Sequence, residues 1–410
     1  MNVLYITYDG ITDHIGQSQV APYLIGLGKK GHQITLLSAE KIDRADIIDK
    51  YKMKFAEAGV EWHFVTYHKS PPVLSSMYDI LHMRKRAKEL IQKNKIELLH
   101  CRSYMASLIG LHFKRTQGIK FIFDMRDFWP DAGREIKRFD VENNFLHKSV
   151  YKYFKKKEKE FLEESSHIIS LTEAGKLVLQ GWKKEGMKIK SPISVIPCCA
   201  DFDVYDRSNL DPQALENMRQ SLGIIGNEFI LNYLGSLGPA YLTDEMMDVF
   251  RTLLQKKPDA KFLIVANNDH HLAVEAATRK GIAPEKIIVK RGTKNEVPYL
   301  IALSNLSLFF IIPSFAKQAC SPTKLAELLA MNVPVIGNTK IGDVDDILRL
   351  DLNNSAVVKS FTNEEYDSVL SKVLPKINEG NNHIRESSLR FSLECGIDSY
   401  NKVYQSLNSN

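Results

Sequence analysis

ACSPTKLAELLAMNVPVIGN, residues 319–338, reads as a helix followed by a short buried strand, with a lysine in the helix's first turn. Ser321 suits the N-cap and Pro322 the first helical position, and Leu325, Leu328 and Leu329 fall on one apolar face. A cation so placed meets the positive end of the helix macrodipole, at a cost of ~0.3–1 kcal/mol unless an anion sits beside it. Two readings of Lys324 follow. Either it points into solvent and Glu327, three residues on, neutralises it, or it awaits an anionic ligand.

Outward from this helix and strand, the same alternation runs through most of the chain. Strand-like runs VLYITY (3–8), QITLLS (33–38), EWHFVT (61–66), IELLHC (96–101), KFIFDM (120–125) and HIISLT (167–172) are separated by amphipathic segments. A polar, turn-rich stretch around 199–225 interrupts the rhythm and marks a domain boundary. FILNYLGSLG (229–238), KFLIVAN (261–267), KIIVKRG (286–292), LSLFFIIP (306–313) and VPVIGN (333–338) then form a second series. The pattern predicts two α/β domains with parallel, doubly wound sheets, facing a cleft at the carboxyl ends of their strands.

The 410 residues give ample chain for two cores, and 44% hydrophobic with 25% charged residues is ordinary for a globular protein. A formal charge of +6 is compatible with anionic substrates or a membrane surface and too weak to argue for nucleic acid. Five cysteines show neither a metal-ligand spacing nor a CxxC pair, which fits a reduced cytosol. No signal peptide or transmembrane run is evident, so the expected location is cytoplasmic, with any membrane contact peripheral.

Candidate chemistry concentrates where strands end. YDGITDHIGQSQ leaves its strand with Gly10 and Gly16, and YLGSLGPAYLTDEM has Gly235 and Gly238 before a helix expected to be capped by Thr243. Small residues let backbone approach a phosphate or sugar, or they serve only as turn formers. In FDMRDFWPDAGREIKRF, Asp124, Arg126, Asp127 and Asp131 crowd around Trp129, either as an Arg–Asp network that fixes the loop or as groups that face a ligand. His100, Arg102 and Ser103 end the neighbouring strand and are placed on the same wall. DFD at 201–203 has the form of a metal-binding DxD but lies in the turn-rich linker and is read as accidental. The lysine-rich helix YKYFKKKEKEFLEE (151–164) is either the solvated face of a core-packed helix or a membrane-surface segment.

Taken together, KKGHQITLLS, ELLHCRSYMASL, FIFDMRDFWPD, IISLTEAGK, SVIPCCADFD and above all SPTKLAELLAMNVPVIGN resemble the family-4 glycosyltransferases, over nearly the full length of the chain. The resemblance implies a retaining, metal-independent enzyme of GT-B architecture with no cofactor beyond a nucleotide-sugar co-substrate. It implies an acceptor domain at 1–203, a donor domain at 204–390, and a C-terminal helix at 391–410 that packs back on the first domain. On the donor side it implies Gly16, Gly235, Ser236, Ser321 and Thr323, with Glu327 on the ribose, Lys324 on the diphosphate and the Arg291–Gly292 loop at the base edge. Lys324, Arg126 and Asp127 are the expected catalytic residues, and His100, Arg102 and Ser103 line the acceptor side. The acceptor is expected to be a saccharide or lipid-linked saccharide in envelope or capsular polysaccharide assembly. The family's first glutamate, eight positions before Glu327, is replaced by Ala319, and Ser236 and Leu237 stand where the family carries Arg and Lys. An epimerase of the same fold and a degenerate binding subunit are the alternatives.

Overall fold

A computed structural model describes residues 1–378 and 383–408. Residues 379–382 of the expected donor domain and 409–410 of the expected C-terminal segment lie outside the described residues. The first sheet contains β1 (Asn2–Thr7), β2 (Gln33–Glu40), β3 (Val60–Thr66), β4 (Leu98–Arg102), β5 (Lys120–Asp124), β6 (His167–Ser170) and β7 (Ile193–Val195). They pair in parallel in the order β3-β2-β1-β4-β5-β6-β7. Because helices cover both faces of such a sheet, its strands read as apolar runs: Val3, Leu4 and Ile6 of β1 and Phe121, Ile122 and Phe123 of β5 are sealed from solvent.

The second sheet comprises β8 (Ile230–Leu234), β9 (Lys261–Val265), β10 (Ile287–Lys290), β11 (Leu306–Leu308), β12 (Val335–Asn338) and β13 (Ala356–Val358). Its order, β10-β9-β8-β11-β12-β13, repeats that of the first, again all parallel. In both sheets the first strand sits centrally and the order reverses beside it, which is where open α/β sheets bind ligands.

The chain divides into two compact units: Met1–Cys198 with Phe315–Cys320 and the segment from Leu393 onward, and Cys199–Ser314 with Ser321–Ser392. The sequence places the boundary after residue 203; the structure places it after Cys198. It also assigns Phe315–Cys320 to the first unit, for visible reasons. Phe315 stacks on Phe128 at 5.1 Å, the Ala316 N–H donates to Glu135 at 3.1 Å, and the Thr172 hydroxyl donates to the Gln318 carbonyl at 2.6 Å. The final helix, Leu393–Asn408, packs on helix Ala21–Lys29, with Ile397 against Gly26.

Two expected helix starts are corrected. The helix carrying Lys324 spans Thr323–Ala330 with Pro322 at the N-cap, so Ser321 lies one residue outside it. A proline cannot continue a helical N–H ladder, and here it occupies the half-in position, which leaves Lys324 in the first turn. Thr243 is the first residue of its helix rather than its cap, which is Leu242.

Candidate active site

In the second unit, β8 delivers Tyr233 and then the loop Gly235–Ser236, and helix Thr323–Ala330 directs Lys324 back toward them. The Lys324 ammonium lies 4.4 Å from the Tyr233 ring centroid, 4.6 Å from that of Tyr241 and 5.8 Å from that of Phe309. It is thus held by aromatic faces, and the solvated reading fails. Gly235 is required by this arrangement twice over. Its φ is +139°, and a Cβ there would stand 2.3 Å from Lys324 Nζ. The Tyr233 hydroxyl donates to the Ser236 carbonyl at 2.5 Å, and burial raises its pKa. This fixes the loop against the ring that bears the cation. Thr323 is half-buried beside it.

One turn along the same helix, Glu327 accepts a hydrogen bond from Tyr205. Its carboxyl is raised to about 7, because burial outweighs the opposing effects of Tyr205, Lys324 and Lys294. Part of the residue still reaches the surface. Lys294, three positions beyond Arg291, acts on the Glu327 carboxyl electrostatically. Arg291 itself is exposed, whereas Gly292 lies tight against Val265 and Val297. Tyr205 belongs to the linker and is seated by Arg385, which donates to the carbonyls of Tyr205, Phe202 and Ala330 at 2.7–2.9 Å. Asp201 Oδ1 accepts from the backbone of Asp203 at 3.1 Å, so the DFD motif is a local turn. Among the described residues, no group of three or more His, Cys, Asp or Glu gathers as a metal site would.

In the first unit the adjacent strands β1, β4 and β5 end side by side, with Thr7 opposite Arg102 and Arg102 opposite Asp124. Arg102 donates to Asp9 at 3.2 Å, and Arg126 contacts Asp124 at 3.5 Å. Ser103 and Arg126 both take φ of +64°, an uncommon conformation for residues with a Cβ, which turns each chain sharply as it leaves the sheet. Asp124 is fully buried, a condition that by itself disfavours charge. Arg126, His100 and Arg102 overcome it and hold the carboxyl down at about 2. Asp127 differs: burial dominates and lifts it to about 6, with Asp9 adding to the rise and Lys317, Arg126 and Arg102 opposing it. Two neighbouring carboxyls are thereby set apart, one permanently ionised and one titrating near neutrality.

His100 does not line an open wall. It has no exposed surface, bonds Tyr404 Oη at 2.7 Å and lies 3.4 Å from Asp124, and its pKa is lowered by burial. Its place on the acceptor side is therefore corrected to one behind Asp124, where it positions rather than touches. Asp131 also leaves the expected cluster, bonding Tyr151 and Lys155, both at 2.9 Å. Gly16 packs against the Gly10 carbonyl, where a Cβ would come within 2.1 Å, so the fold itself demands glycine there.

Sequence reasoning passed over two contributors. Glu40, at the end of β2 and almost fully buried, accepts from Ile11 N at 2.7 Å, Thr12 N at 3.1 Å and the Ser38 hydroxyl at 2.6 Å, and so anchors the loop after β1. Tyr400, from the final helix, donates to Asp124 and accepts from Arg126, both at 3.2 Å. The helix 151–164 turns Phe154 and Phe161 into the core, as a packed helix would.

Residues 20–204 match the sequence profile described as Glycosyltransferase Family 4. No curated protein matches the chain by sequence. Solved structures share its fold end to end. A glycosyltransferase from Rickettsia africae is 16% identical with a TM-score of 0.70, covering 100% of this chain and 99% of that one. Sucrose-phosphate synthase from Thermosynechococcus elongatus is 12% identical with a TM-score of 0.71 and the same coverage. Anabaena HepE, in complex with UDP and glucose, is 14% identical with a TM-score of 0.69 over 100% of both chains. Likeness at such identities is one of fold: the chain has a GT-B framework over its full length, and its residues 20–204 match glycosyltransferase family 4.

Proposed function

We propose that the enzyme transfers a hexosyl group with retention from a nucleoside-diphosphate sugar held by the second unit, to a saccharide or lipid-linked saccharide held by the first. Envelope or capsular polysaccharide assembly is the proposed setting. The carrying observation is Lys324, a cation placed in advance at a helix N-terminus beside a glycine loop and held within 4.6 Å of two tyrosine ring centroids. A diphosphate leaving group gains charge as the glycosidic bond breaks. A cation fixed beside it stabilises that charge without reorganisation and without a metal. Glu327 supplies an acceptor for ribose hydroxyls, and Arg126 and Asp127 face the reacting sugar or acceptor. UDP-glucose, bound in Anabaena HepE, is the first donor to try.

Lys324→Ala tests the reading. Loss of the cation–π contacts costs ~0.5–2 kcal/mol, and relief of the helix-dipole contact returns ~0.3–1 kcal/mol, so the melting temperature should move little. Turnover should fall about 10²–10³-fold. A folded variant with near wild-type turnover would remove Lys324 from the diphosphate.

A further inference from the structure

Four of the large apolar side chains that the first unit leaves in water share one helix face. Leu74, Met77, Tyr78 and Leu81 recur at helical spacing over the first two turns of helix Leu74–Lys93 and are 63, 58, 53 and 52% exposed. The same helix buries Ser75, Asp79, Met83, Ala87, Leu90 and Ile91, so this stripe points away from the core. Its continuation is basic, with Lys85 and Lys88 exposed and Arg84 partly so, while Lys69 stands exposed just ahead of it. The acids of this helix do not offset those cations: Asp79 is buried against Tyr8 and His68, and Glu89 is paired with Arg86 at 2.6 Å. A second tip begins helix Phe145–Glu164, where Phe145 is 86% exposed beside Leu146, and Lys148 and Lys152 follow on the surface.

The topology puts both tips at one end. Helix Leu74–Lys93 follows β3 and leads into β4, and helix Phe145–Glu164 lies between β5 and β6. In a parallel sheet such crossover helices run back along the strands, so their amino ends stand at the sheet's carboxyl edge. Asp9, Arg102, Arg126 and Asp127 occupy that same edge.

We propose that the first unit docks on an anionic lipid surface through these two tips, with Leu74, Met77, Tyr78, Leu81, Phe145 and Leu146 entering the headgroup boundary and the lysines resting on lipid phosphates. Apolar side chains on one helix face next to a basic stretch are the arrangement that lies in a membrane interface, and no described helix is long and apolar enough to cross one. The charge complementarity favours anionic lipid over a protein surface, and docking there would hold the acceptor edge at the membrane. In that respect the proposal deepens the lipid-linked acceptor reading.

The test is flotation of the full chain with vesicles of phosphatidylcholine alone, or of phosphatidylcholine with one part in three phosphatidylglycerol. The wild type should float with the second and remain behind with the first. Combining Leu74→Ser, Met77→Ser and Leu81→Ser should lower partitioning by tenfold or more. Combining Lys69→Glu, Lys85→Glu and Lys88→Glu should lower it by at least about fivefold per cation, as high salt should. A wild type that floats with neither vesicle overturns the proposal, as does binding that both variants retain. So does a wild-type dimer, seen by sedimentation velocity, that the serine variant dissociates while flotation is absent. A nucleotide-diphosphate thermal shift on the same samples reads the donor site separately, so a failure of docking is distinguishable from a failure of the transferase reading.

Discussion

Glu327 and Asp127 are raised by the same cause, burial, and that shared cause gives the empty protein a defined pH response. A carboxyl whose folded pKa is raised contributes stability that is present below its unfolded value and lost as pH rises through the folded value. For Glu327 the window runs from about 4.5 to about 7, and a shift of that size corresponds to up to ~3 kcal/mol. Between pH 5 and pH 8 these two carboxyls draw stability down while His100 and His167, whose pKa values burial lowers, draw it up, so the expected outcome is a difference: Glu327→Gln should lose less melting temperature over that range than the wild type. In the proposed role ribose hydroxyls donate to the ionised form, so wild-type nucleotide affinity should rise with pH through about 7. In Glu327→Gln it should be weaker by ~1.5–3 kcal/mol and nearly independent of pH over that range. Titrations that give the variant wild-type affinity and a wild-type pH profile would return Glu327 to a structural role.

The final helix acts on the first unit's strand ends without belonging to the sheet. Tyr400 bridges Asp124 and Arg126, and Tyr404 holds His100, so the helix fixes the conformation in which Arg126 leaves β5 at positive φ. Tyr400→Phe removes two hydrogen bonds to charged groups. It should lower stability by ~1.5–3 kcal/mol and reduce turnover, with little change in donor affinity; a variant of reduced stability with full turnover would limit Tyr400 to packing. This bridge was illegible in the sequence because it spans 276 positions and neither tyrosine lies in a local pattern. Glu40 was missed for a related reason: a lone carboxylate ending an apolar strand gives no sign that its partners are Ile11 and Thr12, 29 and 28 positions away. The elements that were legible are those with long apolar runs, β1 to β6 and β8 to β12. The three-residue strands β7 and β13 lack the apolar run that marks the equally short β11, which continues through Phe309 to Ile312, and the sheets supply the context that completes them. Helix Thr323–Ala330 was readable in its apolar face and misread by a residue at its cap, because Ser321 and Pro322 each suit a helix start and only the backbone decides between them.

Over the whole molecule, the candidate groups are segregated by unit. Tyr205, Tyr233, Gly235, Lys294, Lys324 and Glu327 lie in the second, and Asp9, Arg102, Asp124, Arg126 and Asp127 in the first. Repetition of one strand order in both sheets gives each unit its own switch point, and the two have been loaded with different chemistry. The second unit has an aromatic-held cation and a neutral-range carboxyl; the first has three interleaved acids and two arginines. A nucleoside diphosphate without a sugar should recognise only the first set. Hydrogen exchange of the full chain with saturating UDP should then protect the backbone around 233–238 and 323–330, and leave 7–10, 102–104 and 124–127 unchanged. Because Lys324 rather than a metal meets the diphosphate in this reading, the protection should be the same with a chelator present. A ligand at about 100 times its dissociation constant stabilises the state it binds by ~2.7 kcal/mol, enough to slow exchange in the second unit by roughly two orders of magnitude wherever exchange requires opening of the bound site. Protection confined to the first unit's strand ends would invert the assignment of donor and acceptor sides, and protection that vanishes with chelator would replace the lysine by a metal.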